Sequence, residues 1–292
     1  MVAMLIAFYA ALVVWAGLLA YGLRTSRYRW FGWFGVGLML FLNIGYFARG
    51  QADAIAFFIS IYDVLDNLGA GSGTDLPAAL STCPDNACTV WGDTYETHPA
   101  WGTAFYERFT TGPGSRNGLL YTHIGMNSIA FVLAHVQLAK PGTGGAANAQ
   151  RHRLLGRVGF GAVTIGTLCA VLLAGQHSSV SEYGGIWSMI GFFSMALVVY
   201  GCAVKTVATA RAGDITSHRV WMFRYLGSMW GAFWLFRVML FVLGPILRSV
   251  EAAAILICIW LSAPLGVAIA EWSRKRLLRT SASNEPRPLV NA

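Results

Sequence analysis

Residues 154–175 read LLGRVGFGAVTIGTLCAVLLAG, an unbroken apolar run with Arg157 as its one charge. About 20 such residues cross the hydrocarbon core of a bilayer as a helix. Helix is the form a single segment must take there, because lipid offers no partner for open backbone groups. Six further blocks of the same kind lie at 2–22, 30–48, 118–139, 186–208, 220–243 and 251–271. With 56% hydrophobic and 12% charged residues and a mean hydropathy of +0.55, the chain has too few charges to cover a soluble globule. The sequence therefore predicts an all-α membrane protein of about seven transmembrane helices, with an up-and-down four-helix core from helices three to six and an outer loop domain.

Charge orients these helices. Arg24, Arg27 and Arg29 follow the first span, and Lys140, Arg151, Arg153 and Arg157 follow the third. Lys205, Arg211, Arg219 and Arg224 follow the fifth, and Arg274, Lys275, Arg276 and Arg279 follow the last. Seven spans put all four groups on one side, which the positive-inside rule makes the cytoplasm. The N-terminus is then outside and the C-terminus inside, in a bacterial inner membrane or its equivalent. The net charge of +8 reflects topology and contact with anionic lipid, so no nucleic-acid partner is expected. The acids agree: eight of the 13, Asp53 to Glu107, fall between residues 50 and 117.

Four segments result. Residues 1–49 carry two N-terminal transmembrane helices, 50–117 form an extracytoplasmic loop domain, 118–244 the four-helix core, and 245–292 the last helix and a basic cytoplasmic tail. Within the loop domain, Ile55, Phe58, Ile59, Tyr62 and Leu65 share one face of a surface-lying amphipathic helix over 53–68. The first block is read as a membrane helix rather than a cleaved signal peptide, since no basic residue precedes it and the arginines follow it. Cys83 and Cys88 lie in the outer loop, where an oxidising compartment favours a disulfide. Cys169, Cys202 and Cys258 fall inside helices and read as packing residues.

Several motifs stand in the core. His123 has Gln137 fourteen positions on; residues 152–157 read HRLLGR, and 212–222 read AGDITSHRVWM. In these features the stretch from His123 to Arg237 resembles the uncharacterised predicted membrane proteins known as domain of unknown function 2306. The resemblance implies architecture, with no activity to carry across.

Function has to be read from the residues themselves. At 100° per residue, His123, Asn127, Ala130, Ala134 and Gln137 form one narrow stripe on the third span. A stripe of polar and small residues faces the bundle interior, either for helix-to-helix hydrogen bonding or for a cavity. His135 points away from it.

The two His-Arg pairs, His152-Arg153 and His218-Arg219, open helices four and six at equal depth, as diagonal neighbours of the core. A histidine in a first helical turn is biased toward the neutral, metal-ligating form. A b-type haem held axially by His152 and His218, with Arg153 or Arg219 on its propionates, is one reading. The arrangement is loosely similar to cytochrome b561-like redox proteins, although His123 has no histidine opposite it on helix five. Lipid anchoring by basic helix ends is the other reading.

Arg237 is an ionisable residue within its span, with Glu182 and Glu251 as the nearest acids by topology and snorkelling as the alternative to a site role. Trp230, Phe233 and Trp234 flank it and would suit a flat quinone ring, or simple packing.

No nucleotide-binding Gly loop, zinc HExxH motif or nucleophile elbow is present, so no catalytic residue is assigned. Ion-coupled transport is disfavoured because no acid is deeply placed in a span. The sequence leaves two functions: membrane electron transfer on a haem or quinone, with His152, His218, Arg153, Arg219, His123 and Arg237 as cofactor-binding candidates, or a non-enzymatic carrier or structural subunit of a larger membrane complex.

Overall fold

A computed structural model describes residues 2–25, 27–49, 114–139, 145–175, 185–239, 243 and 251–283. The loop domain expected at 50–117, except for residues 114–117, the amphipathic helix expected within it, the Cys83–Cys88 pair and Glu182 lie outside the described residues. Among the described residues the chain is helical throughout. The elements are α1 (Val2–Thr25), α2 (Arg29–Arg49), α3 (Gly114–Ala139), α4 (Ala146–Ala174), α5 (Gly185–Arg211), α6 (Ile215–Trp230) and α7 (Glu251–Ser283). A π-helical turn, Gly231–Leu235, continues α6, and helical backbone follows it to residue 239.

Most of these helices overrun the apolar blocks that announce them. α4 begins eight residues before 154, and α7 runs twelve residues past 271. Hydropathy marks the part of a helix that lipid touches. The polar ends, rich in Ala, Arg, Gln and Lys, are good helix formers that continue into the interface.

Packing follows chain order. α3 lies along α4, α4 touches α5, α5 packs on α6, and α6 returns to α3, so that α4 and α6 face each other across the group. α7 lies against both α5 and α6, while α2 packs on α3 and α1 on α2. The common core joins Val36, Met39, Phe131, Val163, Val199 and Met229 from five helices. Large apolar side chains point outward, with Leu197 73% and Val13 71% exposed, which water would penalise and acyl chains accept.

Two devices set the geometry of α6. At its start Gly213 takes φ 74°, a left-handed conformation that favours glycine, and Asp214 caps the helix by accepting the Ser217 N–H at 2.9 Å. Thus AGDIT is the chemistry of a tight α5–α6 connection. Farther along, Gly227 and Gly231 meet Gly266 of α7 backbone to backbone, where a side chain on any of the three would have no room. The π turn sits at this contact, and α7 carries Pro264 beside it.

Candidate functional site

The stripe on α3 faces α4. His123 Nδ1 lies 2.9 Å from the Gly166 carbonyl and 3.0 Å from Asn127 Nδ2. A carbonyl can only accept, so the Nδ1 proton belongs to the Gly166 bond, and the Asn127 amide donates instead to the His123 carbonyl at 3.0 Å. In the neutral ring, Nε2 then keeps its lone pair. A Cβ on Gly166 would collide with the Asn127 amide, so glycine is what admits this polar pair to the seam. Ala130 and Ala134 are buried in the middle, and Gln137 donates Nε2–H to the His152 carbonyl at 2.9 Å, beside Gly156. The stripe is therefore spent on helix-to-helix bonding and close approach.

At the end of the seam marked by Gln137, His152 and His218 come together. Their ring centres are 6.4 Å apart with planes at 84°. His218 Nδ1 donates to the Thr206 carbonyl of α5 at 2.9 Å, which fixes the ring and leaves the Nε2 lone pair in the neutral form. Both rings are half-buried. Their neighbouring arginines turn outward: Arg219 is exposed, and Arg153, also exposed, bonds back to the Ala149 carbonyl at 3.3 Å.

The remaining two candidates lie away from that pair. His123 stands level with Gly166, and fourteen residues of α4 at 1.5 Å each put it ~21 Å along the helix from His152. Arg237 stands on the helical backbone that continues past the π turn. Its Nη1 donates to the Phe233 carbonyl at 2.5 Å, and its guanidinium carbon lies 5.8 Å from the centre of the Phe233 ring. Of the acids paired with Arg237 by topology, Glu182 and the side chain of Glu251 lie outside the described residues. Of the six sequence candidates, His152 and His218 thus come together, with Arg153 and Arg219 beside them in the chain, while His123 and Arg237 lie farther along the bundle.

The aromatic face of α6 is filled. Trp15 stacks on Trp230 at 5.6 Å and on Phe31 at 4.8 Å, and reaches Trp234 at 5.0 Å. The ring surface that suited a quinone in the sequence is covered by α1 and α2, because amphipathicity alone does not say which neighbour occupies a face. His135 belongs to this cluster. It donates Nδ1–H to the Phe131 carbonyl at 2.9 Å and accepts the Trp230 indole N–H on Nε2 at 3.0 Å, so both ring nitrogens are used. Cys169, Cys202 and Cys258 are buried free thiols.

One charged group escaped the sequence reading. Glu271 accepts from Arg224 Nε at 2.6 Å and from Arg274 Nη2 at 2.8 Å, and Arg224 also lies over the Trp221 ring at 4.5 Å. The spacing Glu271-x-x-Arg274 on one helix was the available signal. Its partner on α6 required the α6–α7 contact.

Helical architecture, lipid-facing apolar surfaces and polar seams inside the bundle define an integral membrane protein. The chain belongs to the family described as Predicted membrane protein (DUF2306), whose profile matches residues 120–272, from α3 into α7. Comparison with curated proteins and with solved structures gave no match.

Proposed function

We propose that this protein is a membrane electron-transfer protein that holds a b-type haem between His152 and His218. The observation that carries the reading is the 6.4 Å separation of the two ring centres. Two imidazoles that bind one metal from opposite sides, each through a bond of about 2.0 Å, place their ring centres ~6.3 Å apart. The Nδ1–H bond from His218 to Thr206 is the outer hydrogen bond that orients a ligating histidine and leaves Nε2 for the metal. Gln137 secures the backbone at His152 in the same layer. Arg153 and Arg219 stand exposed at the bundle end, where haem propionates emerging from between the helices would meet them.

A haem there would supply one-electron chemistry, with His152 and His218 as the residues that would hold it. The proposal includes the orientation: seven spans, helices α3 to α6 as the core, the His152–His218 layer on the cytoplasmic side, the N-terminus outside. The basic ends of α4, α5, α6 and α7 support it, because Gln137–His152, Thr206–His218 and Arg224–Glu271 bring those ends to one level. The visible absorption spectrum of the detergent-purified protein tests the cofactor.

A further inference from the structure

We infer that α6 and α7 share a hinge, about which their ends lying beyond the glycine contact, away from His152 and His218, swing as one unit against the rest of the bundle. The hinge is independent of the haem reading.

Both helices interrupt their hydrogen-bond ladder at one level. In α6 the Phe236 N–H reaches back five residues to the Gly231 carbonyl, the wide turn of a π segment. In α7 Pro264 has no N–H to give the Trp260 carbonyl, and its ring crowds the preceding turn. Gly231 faces the backbone of Ser262 and Ala263, so the two interruptions lie side by side. Prolines and π turns are the places where helices bend, and a shared level lets the pair bend together.

The packing divides at the same place. The common core takes residues of α6 as far as Trp234, and Val267 of α7. Beyond them a smaller cluster joins Phe236 and Met239 of α6 to Ile255, Cys258 and Ile259 of α7, with Phe192 and Met195 of α5 against it. The far ends of α6 and α7 thus hold each other through a core of their own. The flexible methionines at its border can repack as it moves past α5.

On the near side the two helices are clamped. Gly227 and Gly231 of α6 lie against Gly266 and Ala270 of α7 at backbone distance, and beside them Glu271 accepts from Arg224 at 2.6 Å. A fixed near part and a far part with its own core, joined where both backbones are interrupted, make a hinge rather than a uniformly pliant bundle.

The test uses the full chain in phosphatidylcholine nanodiscs, with nitroxide pairs on genetically encoded keto residues and distances read by double electron–electron resonance. Leu172 with Ile257 reports the far end and Val158 with Lys275 the near end; all four positions are exposed, and α4 is the common reference. Ile257 stands seven residues from Pro264, an arm of ~10 Å, so a swing of about 20° moves it by ~4 Å. The far pair of the wild type should therefore spread over ~4 Å more than the near pair. Pro264→Ala, which returns a donor to the Trp260 carbonyl, should narrow the far distribution and leave the near one unchanged. Equal widths at the two pairs in the wild type would overturn the hinge, as would a far distribution that Pro264→Ala leaves as broad as before. The wild-type comparison needs no variant, so it decides the question even where Pro264→Ala fails to fold.

Discussion

Gln137, near the end of α3, donates its amide N–H to the backbone carbonyl of His152 at 2.9 Å, tying α3 to the second turn of α4. The bond spans fifteen positions of chain. It holds in register the helix that presents His152 to His218.

Gln137→Leu should therefore do two things. Loss of a half-buried side-chain hydrogen bond costs ~1 kcal/mol, visible as a lower melting temperature in detergent. It should also broaden or shift the spectrum of a cofactor on His152. An unchanged melting temperature would show that the contact contributes nothing to the seam.

Asp214 gives a pH signature. Hydrogen bonds from the Ser217 hydroxyl and backbone N–H hold its carboxyl below the usual carboxylate range. A carboxylate lowered in the folded state adds stability that is fully present above its unfolded value, about 3.9, and is lost as pH falls through the folded value. The melting temperature of Asp214→Ala should thus lie below wild type at pH 7, with the gap closing as pH drops beneath about 4. A gap constant across that window would remove the cap from the account.

The Arg224–Glu271 pair joins α6 to α7, with side chains 32% and 19% exposed. A double-mutant cycle on Arg224→Met and Glu271→Gln should return a coupling of about 1–2 kcal/mol, as for a partly screened charge-assisted bond. Additive single effects would make the pair incidental to α6–α7 packing.

Orientation is checked by reporters in the intact chain. A fusion after Arg29 or Ala147 should read cytoplasmic, and one within 70–95 external, since the proposed orientation puts the basic connections and the acidic loop on opposite sides. The reverse pattern would overturn the orientation, and the same side for all three would overturn the span count.

Much of the fold was legible because lipid leaves so few choices. Blocks such as 154–175 had to be helices, and residues four and seven apart on α3 had to share a face, so the His123–Gln137 stripe was readable as a seam. The meeting of the two histidines was also readable, since His152 and His218 lie near the starts of α4 and α6, although α4 begins at Ala146 and places His152 in its second turn rather than its first. The π turn was not, because GAFWL is apolar in either helical form and the turn sits at a backbone contact between Gly231 and Gly266, which are distant in the chain. Nor was the covering of Trp230 by Trp15, a contact between distant segments that no local periodicity encodes. Arg237 stood out by its cost in a span, but its bond to the Phe233 carbonyl one turn back became visible only in the structure.

The visible spectrum of detergent-purified protein from haem-replete cells tests the central claim most directly. A Soret band with reducible α and β bands is expected, with the low-spin spectrum abolished by His152→Ala and by His218→Ala, since either loss opens an axial position. His135→Phe should leave the bands in place, because that ring is engaged with Phe131 and Trp230. A folded, colourless wild type from the same cells would contradict the account and leave lipid anchoring as the role of both His-Arg pairs.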